Sequence, residues 1–283
     1  MFNTKIIYNF NNIIMYLLLL CIIISLVSCE QEVVDTSGLK YKEQLVIKAF
    51  VFAGENAKNI KITRTLPPLE KYDINKALVR DAEVYIIHNS NKYKLNYNPE
   101  LQTYENFDIV FQEGEIYNFE AKWKNITAKS TTIIPKFELI EKKYYFKLIS
   151  DTNRYYDNTY WQMYLSAVIS RDKKFVYYFD DERLFTDRYY FSYDRLINDT
   201  VSINKLLNVE AELNIFSEDS SSATLQAKLF KYYVIAFDNS LWDYKTTSWG
   251  GSGNFNDSNV DWNISGDGIG LFIGSNKKEF NLE

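Results

Sequence analysis

EGEIYNFEAKWKNITAKSTTIIP, residues 113–135, carries the clearest strand pattern in the chain. Glu113-Gly114 opens with a turn signal, and behind it Tyr117, Phe119, Ala121 and Trp123 occupy every second position, with Asn118, Glu120 and Lys122 between them. Successive side chains of a strand point to opposite faces, so this spacing predicts a strand with one apolar and one solvated face. A second strand runs from Ile126 to Ile134, rich in β-branched residues, until Pro135 stops it by removing a ladder donor. The same pattern extends toward the N-terminus. Gln44 to Ala53 is apolar and β-branched and ends at Gly54-Glu55-Asn56. Ile60 and Ile62 alternate with Lys61 and Thr63 up to Pro67-Pro68, and Val84 to Ile87 turns at Asn89-Ser90-Asn91 into Tyr93, Leu95 and Tyr97. Turn signals roughly every ten residues with period-2 alternation predict a mainly β protein. Residues 44–136 are expected to form an immunoglobulin-like or transthyretin-like antiparallel sandwich, and residues 137–283 a second β-rich domain.

The second half is less regular. Tyr144 to Ile149 reads as a strand, and Trp161 to Ile169 followed by Phe175 to Phe179 reads as a hairpin across Arg171-Asp172-Lys173-Lys174. Ser217 to Ser222 reads as a polar loop. Leu225 to Phe237 is apolar enough to be buried, but its period fits a strand or a helix. No stretch sustains the 3.6-residue period of a helical bundle.

The first 29 residues carry one charge, Lys5, and Ile13 to Val27 is apolar except for Ser25. A membrane span needs about 20 apolar residues, so this run suits the h-region of a secretory signal over residues 1–28. It ends Leu26-Val27-Ser28-Cys29, which resembles the bacterial lipobox. That resemblance implies diacylation of the Cys29 sulfur, cleavage before it and acylation of the freed amine. Each buried CH₂ contributes about 0.8 kcal/mol, so two or more chains anchor durably where one would not. An uncleaved signal anchor with a chance cysteine is the alternative. The only other cysteine, Cys21, lies in the discarded run, so the mature chain has no disulfide. Residues 29–43 form a tether made acidic by Glu30, Glu32 and Asp35. Acids behind a lipidated cysteine are similar to the surface-export signal of Bacteroidota lipoproteins, which implies an outer-membrane address facing the cell surface more than the periplasm.

Chemistry is constrained by what is scarce. The chain has one histidine, so Ser-His-Asp, Cys-His and multi-histidine zinc arrangements cannot be built. His88, at the end of an apolar strand, reads as a structural histidine. The net charge of −5 argues against nucleic acid, which needs a basic footprint. Carboxylates remain: Asp180-Asp181-Glu182, with Arg183, Asp187 and Arg188 behind, read as a solvated loop, or else as a carboxylate pair or cation site. Asp257-Ser258-Asn259-Val260-Asp261 begins like a calcium loop, but Trp262 and Gly268 stand where glycine and glutamate are needed. Gly266-Asp267-Gly268-Ile269-Gly270 has no βαβ unit behind it and reads as a tight hairpin turn. Aromatics make up 17% of the chain, and β cores absorb most such rings. Trp242, Trp249 and Trp262 are the candidates for a ligand-stacking surface. Asp199-Thr200-Val201 looks like the hydroxyl-glycosylation sequon of exported Bacteroidota proteins.

The order of pieces carries a family resemblance. Leu45-Val46-Ile47-Lys48-Ala49, Ile62-Thr63-Arg64-Thr65-Leu66-Pro67 and Arg80-Asp81-Ala82-Glu83-Val84 follow the lipobox. The closing stretch Asn259-Val260-Asp261-Trp262-Asn263-Ile264-Ser265-Gly266-Asp267-Gly268-Ile269-Gly270-Leu271-Phe272 contains Asn-Ile-x-x-x-Gly-x-Gly-x-Phe, the most specific part. Together they resemble the Bacteroidota outer-membrane lipoproteins that carry a domain of unknown function and are often encoded beside a TonB-dependent receptor. One departure is the lack of a glycine soon after Asp180 to Glu182. The resemblance implies a non-enzymatic accessory of such a transporter, capturing or gating a nutrient, with no cofactor and no metal and the receptor as partner. A surface structural or adhesive β module and a carboxylate-dependent glycan hydrolase are the alternative expectations.

Overall fold

The computed structural model describes residues 41–153, 156–181, 197–199, 206–215, 220–228, 231–248 and 260–282. Cys29, residues 30–40 of the expected tether, Trp249 and Glu182 lie outside the described residues. So do Asp257 to Asn259 and Thr200 to Val201 of the calcium-like and glycosylation-like stretches.

The first strands bury alternate residues. β1 (Leu45–Phe52) buries Leu45, Ile47, Ala49 and Val51, and β2 (Asn56–Arg64) buries Ala57, Ile60 and Ile62. After a short helix α1 (Ile74–Ala77), capped by the Asp73 carboxylate, come β3 (Glu83–His88), β4 (Asn91–Asn98) and β5 (Thr103–Val110). β6 (Ile116–Trp123) and β7 (Ile126–Ile133) complete the first half, and the every-second-residue set Tyr117, Phe119, Ala121 and Trp123 is buried. β5 was not foreseen; its sequence, TYENFDIV, is too polar for period-2 reading, and Phe107 in it is exposed.

The remaining strands are β8 (Phe137–Asn153), β9 (Tyr156–Arg171), β10 (Val176–Asp181), β11 (Ile197–Asn198), β12 (Leu207–Ile215), β13 (Tyr232–Phe237), β14 (Ile264–Gly266) and β15 (Gly268–Phe280). Among the described residues two helices interrupt them, α2 (Ser220–Lys228) and α3 (Ser240–Ser248). The protein is mainly β, with one large curled sheet and a smaller one. The large sheet has the order β11-β10-β13-β15-β1-β2-β5-β4-β3-β6-β7-β14, and the small one is β12-β9-β8. β15 runs parallel to β1, from Leu45 opposite Gly268 to Phe52 opposite Ser275. Every other neighbouring pair is antiparallel.

Among the described residues, side chains gather into three cores. The first lies inside the curl of β1 to β7 and takes in Ile264 and Phe272 from the C-terminal strands. The second sits between the small sheet and one face of β10, β13 and β15, with Ala223 and Ala227 of α2. The third is on the opposite face, where Phe52, Val176, Tyr178, Ile235, Phe237, Leu271 and Ile273 are covered by Leu241 of α3. β15 therefore feeds Phe272 to the first core, Phe280 to the second and Leu271 and Ile273 to the third. Each such side chain contributes about 2–3 kcal/mol on burial.

Two local readings are corrected. Trp161 to Ile169 and Phe175 to Phe179 do not pair as a hairpin: β9 pairs with β8 and β12, while β10 pairs with β13 and β11 in the other sheet. The reason is visible in the burial. β9 buries only alternate residues, Met163, Leu165, Ala167 and Ile169, whereas all of Phe175 to Phe179 is buried, between the second and third cores. A run with no alternation is a strand covered on both faces, and it belongs in the middle of a stack. The undecided stretch 225–237 divides into the end of α2 and the fully apolar β13, and the expected polar loop becomes helix from Ser220.

Candidate functional site

The C-terminal signature is the most constructed local feature of the chain, and its residues hold the backbone together. Asn263 Nδ2 donates to Phe272 O at 2.6 Å while Phe272 N donates to Asn263 Oδ1 at 2.9 Å. The side-chain amide thus mimics a strand neighbour. Ile264 drops into the first core, and the Phe272 ring lies 5.3 Å from that of Phe119. Between them the chain turns a corner rather than a hairpin. β14 pairs with β7 and β15 with β1, and Asp267 joins the two edges: its N–H donates to Thr127 O at 2.8 Å and its carbonyl accepts from Leu45 N at 3.1 Å. Glycine is required at two points. Gly266 has φ +85° and a Cβ there would fall 2.5 Å from Thr127 O; Gly270 has φ +112° and its Cβ would fall 2.1 Å from Ile47 O. The Gly-x-Gly pattern is an edge closure.

Beside this corner is a cleft of about 340 Å³, lined by Asn118, Glu120, Lys129, Thr131, Asn263 and Ser265 among others. Several of its polar groups already serve each other. Thr131 Oγ1 donates to Asn118 Oδ1 at 2.7 Å, Ser265 Oγ to Lys129 O at 3.1 Å, and Lys92 lies 3.6 Å from Glu120. Glu120 and Lys129 give the cleft both signs of charge, so it can hydrogen-bond a polar ligand.

The tryptophan candidates lead to α3. Its start is fixed by Asp238, whose carboxylate accepts from Ser240 N at 2.9 Å, Ser240 Oγ at 2.7 Å, Ile133 N at 2.8 Å and Thr132 Oγ1 at 3.1 Å. Such a fully bonded buried carboxylate pins the helix to β7. Trp242 packs against the third core, with the Lys245 ammonium 4.8 Å over its ring. Trp262 stands 36% exposed, its ring 5.0 Å from that of Tyr244. Asp261 N donates to Thr247 Oγ1 at 2.8 Å, which ties the Trp262 segment to the helix. Trp242 and Tyr244 both pack against the third core, and the Tyr244 ring in turn meets that of Trp262. Desolvation, then the charges of Asp261 and Asp238, raise the Asp243 carboxyl above its ordinary value. The structure thus adds Asp243, Tyr244, Lys245 and Asp261 to two of the three tryptophans. The signal for Tyr244 was available as the i+2 aromatic after Trp242; that for Asp261 was its place beside Trp262.

The other candidates fall as follows. The His88 ring stacks on Tyr117 at 4.4 Å, with Nε2 3.2 Å from Glu115 Oε2 and 3.1 Å from Asn89 Nδ2. Asp199 is buried and accepts from Arg171 Nε at 2.7 Å and Nη2 at 2.9 Å, a bidentate pair that raises the guanidinium further above its ordinary range. Burial beside this pair also pushes the Tyr177 phenol upward. Tyr104, donating to Val79 O at 3.1 Å and accepting from Ala82 N at 2.9 Å, is pushed up to about 12 by desolvation. Asp180 and Asp181 lie in β10, and their side chains lie outside the description. Among the described residues no group of His, Cys, Asp and Glu is placed to hold a metal, and no helix is long and apolar enough to cross a membrane.

No curated protein and no solved structure matches the chain. Residues 30–281, however, match a family from just behind Cys29 to the end of the strand that feeds all three cores, and the chain belongs to that family, Domain of unknown function (DUF4249).

Proposed function

We propose that the chain is a lipid-anchored outer-membrane lipoprotein, of Bacteroidota type, that serves as a non-enzymatic accessory of a TonB-dependent transporter. The observation that carries this reading is the junction at residue 29. The lipobox-like Leu26-Val27-Ser28-Cys29 ends directly before residue 30, where the family match begins. Two acyl chains or more give that cysteine a durable hold on the bilayer. The acidic Glu30, Glu32 and Asp35 favour display on the outer face. In this role the Tyr244–Trp262 rings and the polar cleft beside Asn263 are the surfaces that meet a nutrient or the receptor.

The test is palmitate labelling of the wild type and Cys29→Ala in a Bacteroidota host, followed by tagged pull-down from detergent extracts. The expected result is label on the wild type, none on the variant, and co-recovery of an outer-membrane receptor. An unlabelled wild type overturns the anchor. A labelled wild type that recovers no receptor overturns the accessory role.

A further inference from the structure

We propose that β8 is a docking edge, and that its occupant is the β8 strand of a second copy of this chain. β8 is 17 residues long, beyond the usual 3–10. It is the outer strand of the small sheet, and among the described residues nothing pairs with its far side. Along this edge Ile140 is 51% exposed, Tyr145 58% and Leu148 50%. An edge of this length and apolar character is a template for another strand.

Lysines normally keep such edges apart, and β8 carries Lys142, Lys143 and Lys147, so the arrangement of charge identifies the occupant. From residue 141 onward the pairing with β9 sets one row outward: Glu141, Lys143, Tyr145 and Lys147 lie opposite Val168, Ser166, Tyr164 and Gln162. Tyr145 and Tyr164 stack at 4.8 Å with their planes 4° apart. If two copies of β8 meet antiparallel about a two-fold axis at Tyr144, Glu141 of each copy falls opposite Lys147 of the other. Lys143 then falls opposite Tyr145, with its ammonium over the ring, and Leu148 comes beside Ile140. Cross-strand pairs of opposite charge and of lysine on an aromatic ring are favourable, and no like charges meet. Sliding the second copy by two residues one way opposes Lys143 to Lys143, and the other way opposes Lys143 to Lys147. Slides by one residue turn the outward row to the other face. The strand is thus complementary to itself in one register. In the single copy Glu141 leans on Lys143, 3.0 Å away on the surface; Lys147 across the axis gives it a second partner. The product is a six-stranded sheet running through both copies.

The test uses the full chain in detergent, with mass measured by sedimentation over a concentration series. The expected result is a two-copy mass at the upper end. Glu141→Lys places lysine against Lys147 twice per dimer and should weaken association about tenfold, as should Lys147→Glu, by exchanging two attractive pairs for two repulsive ones. The double variant, Glu141→Lys with Lys147→Glu, restores opposite charges and should return to within about twofold of the wild type. Both side chains lie at the surface, so the urea midpoint of each variant serves as the check that it folds. A single-copy mass throughout the series overturns the proposal. So does a dimer indifferent to Glu141→Lys, or a different protein found seated on β8. Receptor recovery in the pull-down does not depend on this edge, so the two readings fail separately.

Discussion

The edge beside β7 and the edge at β8 are treated in opposite ways. At β7 the chain returns as β14, turns at Asp267 and continues as β15 against β1. Glycines let the backbones touch, and Asn263 supplies an amide where a strand neighbour is missing. At β8 nothing described returns, and apolar side chains stand in solvent. One edge is closed by the chain's own backbone; the other has no neighbour among the described residues. Edge closure here uses small and amide residues, while the edge with no described neighbour carries alternating charge and aromatic rings.

The sharpest way to break the closed side is Gly270→Val. A Cβ there meets Ile47 O far inside contact distance and the residue must keep φ +112°, so the expected cost is about 4 kcal/mol or more. Chemical denaturation should show a large loss of midpoint or no folded protein; a wild-type midpoint would mean the corner is built differently. Asn263→Ala comes next. It leaves Phe272 N and O without their side-chain partner in a part-buried setting and should cost about 2 kcal/mol in the same measurement. On the open side, Glu141→Lys touches an exposed pair. It should move the unfolding free energy by no more than about 0.5 kcal/mol while changing association, so a loss comparable to Asn263→Ala would erase the contrast.

How much of this was legible in the residues depends on whether a signal is local. The row Tyr117, Phe119, Ala121 is a period-2 pattern, and its burial follows from it directly. The stretch Phe175 to Phe179 has no alternation, and pairing it with its neighbour in sequence was the natural mistake; what places it is a pair of cores on either side. Gly266 to Gly270 announced a turn correctly in kind, but a corner between two distant edges and a hairpin use the same residues. The parallel pairing of β1 with β15 leaves no local mark, since its two halves are more than two hundred positions apart. At the site, tryptophans are visible as rings in the sequence, but the helix that carries Trp242, and the Asp238 carboxylate that starts it, depend on contacts with β7. Trp249 and Cys29 lie outside the described residues.

The parallel seat of β15 beside β1 also sets an order of events. Leu45 emerges early in synthesis, yet the strand that completes its ladder begins only at Gly268, so β1 waits with one side bare until residues 268–280 have been made. Contacts of such sequence separation are slow to form. Folding therefore closes last at the two ends, and a chain interrupted before residue 268 lacks not one strand of a repeating series but the member shared by all three cores.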